Sequence, residues 1–182
     1  MNKKLRWITE TAVLLALLVT LQALTKPLGQ IVTGSCVNAV LAVATLVGGW
    51  TCGVTIALIS PVLAFLLGIA PQILTVPAIM VGNTVYVLLL YVLADRTGEK
   101  LLRQLAAWVA AAAAKFAVLY LIVVQVICGV MAPVLLERGA LKQPMLKALP
   151  ATFSWPQLIT ALIGGAVALT VVPLLRRALH RK

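Results

Sequence analysis

The chain has 182 residues, 63% of them hydrophobic and 10% charged, with a mean hydropathy of +1.11. A water-soluble domain carries about 25% charged and about 45–50% apolar residues, so lipid rather than one water-bounded core must solvate most of these side chains. The net charge of +11 does not indicate nucleic acid, because the cations stand at the ends of apolar runs and not on amphipathic faces interleaved with aromatics.

A helix crosses roughly 30 Å of hydrocarbon with about 20 residues, and six runs approach that length. The first is Trp7–Leu24, ended by Lys26-Pro27. Val32–Val47 is the second, before Gly48-Gly49, and Thr51–Leu67 the third, ending near Gly68 and Pro71. Ile73–Leu93 is the fourth, stopped by Asp95-Arg96; Leu105–Met131 is the fifth, broken before Pro133. Pro156–Leu175 is the sixth, stopped by Arg176-Arg177. The expected fold is therefore all-α: one transmembrane domain over residues 1–182, a bundle of six membrane-spanning helices.

Charge sets the orientation. With the N-terminus inside, the cytoplasmic segments hold Lys3, Lys4, Arg6, Arg96, Lys100, Arg103, Arg176, Arg177, Arg181 and Lys182. The outer segments hold Lys26, Arg138, Lys142 and Lys147. This positive-inside bias predicts that both termini are cytoplasmic in a multi-pass protein of the cell membrane. Met1–Leu24 also has the basic start and apolar stretch of a signal peptide, but its apolar run is long for one. Between the fifth and sixth runs, Ala132–Trp155 is a long outer loop. Leu135, Leu136, Met145, Leu146, Leu149, Phe153 and Trp155 make it too apolar for a solvated tail. It is expected to fold back on the outer surface, as a lid or as an interfacial amphipathic segment.

Several chemistries lack their residues. There is no HExxH, no paired acidic motif and no Walker lysine loop. The four carboxylates, Glu10, Asp95, Glu99 and Glu137, lie at or beyond the ends of the runs, so no buried acid serves proton or sodium coupling. Cys36, Cys52 and Cys128 form no CxxC, and His180 is the only histidine, so no metal or other cofactor is expected. No catalytic residue is assigned. If the protein moves a solute, another subunit supplies the energy.

Polar groups inside the runs are either ligand contacts or helix-packing contacts. Lys115 lies about a third of the way into the fifth run; it either snorkels to the cytoplasmic interface or aims into the bundle. Asn38, Asn83 and Tyr86, with Tyr120 and Gln125 in the outer half of the fifth run, have the depths of an outward-opening pocket. Tyr86, Tyr120, Phe153 and Trp155 are candidates to flank a planar ring. The outer cations would steer an anionic solute inward. Ala12 and Ala16 form a small-xxx-small pair that lets another helix approach closely, and Gly164, Gly165 and Ala168 offer a similar face.

Six short hydrophobic helices, an Ala-xxx-Ala in the first and a basic cytoplasmic loop resemble the S components of energy-coupling factor (ECF) transporters. Three stretches carry the likeness further: Val32-Thr33-Gly34-Ser35-Cys36-Val37-Asn38, Ser60-Pro61-Val62 through Gly68-Ile69-Ala70-Pro71, and Pro77 through Gly82-Asn83. It runs over about Ala12–Ala94 and more loosely to the C-terminus. The resemblance implies a high-affinity binding subunit for a vitamin, vitamin precursor or related micronutrient, held in a bacterial inner membrane. It implies docking through Ala12 and Ala16 onto a transmembrane coupling subunit that joins two cytoplasmic ATPases. It also implies a substrate site near the outer side, for which Asn83, Tyr86, Asn38, Tyr120, Gln125, Lys115 and Trp155 are the candidates. The alternative is a membrane scaffold whose polar residues only pack helices, with no ligand-sized cavity.

Overall fold

The computed structural model describes residues 2–69, 72–94 and 100–180. Asp95, Arg96, Glu99, Arg181 and Lys182, and the Ala70-Pro71 exit of the third run, lie outside the described residues. Among the described residues the chain is all helical, without strands. The helices are α1 (Lys3–Thr25), α2 (Gln30–Gly48), α3 (Trp50–Leu66), α4 (Val76–Leu93), α5 (Leu101–Leu119), α6 (Ala132–Glu137), α7 (Met145–Phe153) and α8 (Trp155–His180). Five helical stretches are long and apolar enough to cross a membrane: Lys4–Leu28, Gln30–Gly48, Ile73–Leu93, Leu101–Val130 and Met145–Ala178. The sixth apolar helix, Trp50–Leu66, is shorter. Side chains facing away from the bundle are apolar, among them Val13, Leu66, Val92, Leu121, Ile159 and Leu174. The chain is thus a multi-pass membrane protein.

Local chemistry sets the helix ends. α2 and α3 are separated by Gly49 alone, at φ 87° and ψ 174°, a conformation open only to glycine, with its N–H bonded to the Thr45 carbonyl. Arg176 Nη2 donates to the Leu46 carbonyl and Arg103 Nε to the Leu93 carbonyl, each at 2.9 Å. Both guanidiniums therefore satisfy open carbonyls at the C-terminal ends of α2 and α4. Arg176-Arg177 does not stop the last helix, which continues to His180; arginine is a good helix former, and the pair marks the polar boundary rather than a helix end.

α2 is the central helix, packed on α1, α3, α4 and most extensively on α8. Glycine makes that contact close. A Cβ on Gly164 would lie 2.6 Å from Asn38 Cβ and from the Ser35 carbonyl, and one on Gly34 2.8 Å from Thr160 Cγ2. The Trp108 indole of α5 lies across Gly165 and donates to the Ala161 carbonyl at 3.3 Å. The small face of α8 is thus filled from within the chain.

Beyond Leu119 the fifth helix widens into a π-helix, Tyr120–Val130. The segment 132–155 contains α6 and α7, whose Leu135, Leu149 and Phe153 join Leu141 in a buried cluster with Ala78, Leu119, Val123 and Ile127. These short helices close one end of the bundle, opposite the N-terminus. Gln72 Nε2 reaches the Ala140 carbonyl at 2.9 Å, and Lys26 Nζ the Gly68 carbonyl at 2.5 Å. Three connections are tied together there.

Candidate functional site

Gly82 lets α5 approach α4: a Cβ there would lie 2.8 Å from Leu119 Cγ. One residue on, Asn83 faces Lys115. The Lys115 ammonium donates to Asn83 Oδ1 at 2.7 Å and to Asn38 Oδ1 at 2.5 Å, joining α5, α4 and α2. Lysine has no acceptor, so both amides must turn their oxygens toward it. Lys115 is 3% exposed and aims into the bundle instead of snorkelling. The two amide dipoles hold it there, and the Tyr86 ring lies 5.5 Å from Nζ.

The two asparagines differ in what remains. Asn38 Nδ2 donates to the Gly34 carbonyl at 2.9 Å and to Thr160 Oγ1 at 3.3 Å, so both ends of its amide are used. Asn83 Nδ2 is buried with no partner, and so are the Tyr86 hydroxyl and Gln22 Oε1. Leaving a buried donor or acceptor unbonded costs about 1–3 kcal/mol. Asn83 and Gln22 also line a cavity, and Tyr86 does not.

The cavity is there, with a volume of about 310 Å³. Gln22, Thr33, Asn38, Ser60, Asn83, Lys115 and Gln157 give it polar walls, while Val37, Pro61, Ala64, Ile69, Ile79 and Phe153 give it apolar ones. A small polar set on apolar walls is the usual make-up of a small-molecule site, and the volume is at the compact end of such sites. Pro61 lacks the N–H that would bond the Ala57 carbonyl, so it interrupts the α3 ladder beside the cavity. Phe153 and Thr152, from the end of α7, form part of the wall nearest the short helices.

Of the residues singled out from the sequence, Asn38, Asn83 and Lys115 meet at the cavity, and Tyr86 lies against Lys115. Tyr120, Gln125 and Trp155 are not among the lining residues. Gln125 Nε2 donates to the Tyr120 hydroxyl at 3.1 Å, and Trp155, 67% exposed, stacks on Phe116 with centroids 5.7 Å apart. Phe116 also meets Tyr120 at 5.9 Å, so these aromatics form a separate outer cluster. Sequence reasoning missed Gln22, Thr33, Ser60 and Gln157. Gln22 carried a usable signal, a long polar side chain inside an apolar run. The hydroxyls carried little, since Ser and Thr in such helices commonly bond their own backbone. Ala12 and Ala16 are both exposed on α1. Among the described residues no group of three or more His, Cys, Asp or Glu stands close enough to hold a metal ion.

A membrane bundle enclosing a polar-floored cavity defines a class of solute-binding membrane proteins. The family model for the ECF transporter substrate-specific component matches residues 6–176, and the chain belongs to that family. No curated protein and no solved structure matches it. Members are substrate-binding subunits of transporters rather than catalytic ones, working with other ECF components on a small-molecule substrate.

Proposed function

We propose that this protein is the high-affinity substrate-binding subunit of an ECF-type importer for a vitamin, vitamin precursor or related micronutrient. The chain crosses the cell membrane six times, α3 making the short crossing, with both termini cytoplasmic. At 1.5 Å per residue, 17 residues span roughly 25 Å, enough where the bilayer thins or where flanking residues reach the interface. The connections around 26–29, 67–69 and 72–75, with α6 and α7, then lie outside, and the cavity opens toward the medium. Ala12 and Ala16 form the docking face for the coupling subunit, which joins two cytoplasmic ATPases. Asn38, Asn83 and Lys115 bind substrate, with Tyr86 behind them. Tyr120, Gln125 and Trp155 act from the outer rim, where the aromatic cluster flanks the route past α7.

The observation that carries this reading is the meeting of Lys115, Asn38 and Asn83 beside a cavity of about 310 Å³, with unbonded polar atoms left on the lining residues Asn83 and Gln22. A scaffold that only packs helices has no use for such a space. Mass spectrometry of the detergent-purified protein tests it: a single small molecule should be carried through purification. An empty protein that also fails to associate with a coupling subunit would overturn the reading.

A further inference from the structure

Lys115 brings an ammonium to the polar floor of the cavity, and no carboxylate among the described residues is bonded to it. Lys115 has three N–H donors and gives two, both to neutral amides. Among the described residues no Asp or Glu lines the cavity. Glu10 is paired with Arg6 at 2.7 Å near the start of α1, and Glu137 is exposed at the end of α6. Taking an ammonium out of water without a counter-charge is unfavourable, and dipoles alone offset only part of it. The same Asn83 that accepts from Lys115 leaves its Nδ2 buried and, among the described residues, without a partner. Two adjacent donors, one charged, match the paired acceptor oxygens of a carboxylate. Gln22, elsewhere on the wall, has a buried acceptor oxygen with no donor.

Resting on the reading of this cavity as the substrate site, we infer that the solute is a compact monocarboxylic acid, bound as its anion on Lys115 and Asn83 and presenting an N–H or O–H to Gln22. One ammonium balances one negative charge. A phosphate dianion would leave a buried negative charge, and a cationic solute would stand against Lys115. The volume of about 310 Å³ suits a solute of one ring or one short chain.

The test uses the detergent-purified full chain, with thermal unfolding and calorimetry against acid–neutral pairs: nicotinate and nicotinamide, pantothenate and pantothenol, lipoate and lipoamide, with thiamine as a cation. One acid is expected to raise the unfolding midpoint and to bind roughly 10- to 100-fold more tightly than its neutral partner, the range of a charge-assisted hydrogen bond. Lys115→Gln should remove that preference. Asn83→Asp places a carboxylate beside the ammonium, so it should abolish acid binding while raising the midpoint of the ligand-free protein, which guards against a variant that merely misfolds. Equal binding of acid and neutral partner, tightest binding of thiamine, or acid binding that survives Asn83→Asp would each overturn the inference. A molecule carried through purification decides in the same way, an acid supporting it and a neutral or cationic compound overturning it while the substrate-site reading stands. A wild-type protein that is empty and stabilised by none of these compounds overturns both.

Discussion

The Lys115 ammonium lies 2.7 Å from Asn83 Oδ1, while the amide nitrogen of the same asparagine has no partner among the described residues. One side chain thus joins two helices with its oxygen and lines a cavity while its donor stays unused. Asn38, on the other side of Lys115, has both ends of its amide occupied. Both line the cavity, but Asn83 keeps an unused donor and Asn38 does not.

That difference predicts different phenotypes. Asn38→Leu removes bonds to Lys115, Gly34 and Thr160 and should destabilise the protein by about 2–4 kcal/mol, since several buried partners are orphaned together. Asn83→Leu removes only the Lys115 contact and should cost about 1–2 kcal/mol. Urea or thermal unfolding in detergent ranks the two. Equal losses would mean that the Gly34 and Thr160 bonds contribute nothing.

Close packing of α2 on α8 gives a second prediction. Gly164→Ala puts a methyl 2.6 Å from Asn38 Cβ and from backbone at Ser35, so the helices must part, at about 1–3 kcal/mol. The parting also displaces Asn38, so ligand affinity should fall with stability. Gly129→Ala, whose added carbon would meet only the Val124 carbonyl at 3.5 Å, is the matched control and should change the unfolding midpoint little.

Gly49 is a backbone case. Nothing lies within 4 Å of an added Cβ, yet φ is 87° with ψ 174°. Gly49→Ala is therefore expected to cost about 1–3 kcal/mol through conformation alone. A midpoint unchanged by this substitution would show that the α2–α3 turn relaxes freely.

On the partner side, Ala12 and Ala16 are exposed and about one turn apart. Ala16→Trp should abolish assembly with the coupling subunit in a pull-down while leaving ligand binding by the isolated subunit intact. Loss of ligand binding with assembly preserved would place α1 at the pocket instead.

The sequence made the helices legible because apolar run length is a direct readout of bilayer thickness. Asn38, Asn83 and Lys115 were legible for a related reason: a polar group in lipid must find a partner, so three at compatible depth are expected to meet. Depth alone did not bring Tyr120 and Gln125 to the cavity wall. Lys115 and Tyr120 are five residues apart, which at 3.6 residues per turn sets them about 140° apart around a helix. They cannot share a face, and the π-helical widening from Tyr120 then pairs Tyr120 with Gln125 instead. Nor did the pattern of 132–155 reveal α6 and α7, because short helices with Pro133 and Pro150 lack the length over which periodicity becomes readable. Gln22 shows the converse: its position inside the first apolar run marked it as plainly as Asn38, but a single residue near a run's end reads as interfacial.

A substrate cavity floored by Lys115, Asn38 and Asn83 can be probed by native mass spectrometry of wild-type protein beside Asn83→Leu, each purified from the membranes of the same host. One small molecule should be bound at a one-to-one ratio in the wild type and lost from a folded Asn83→Leu protein. A wild type that carries no ligand, or a ligand retained undiminished by the variant, would contradict it.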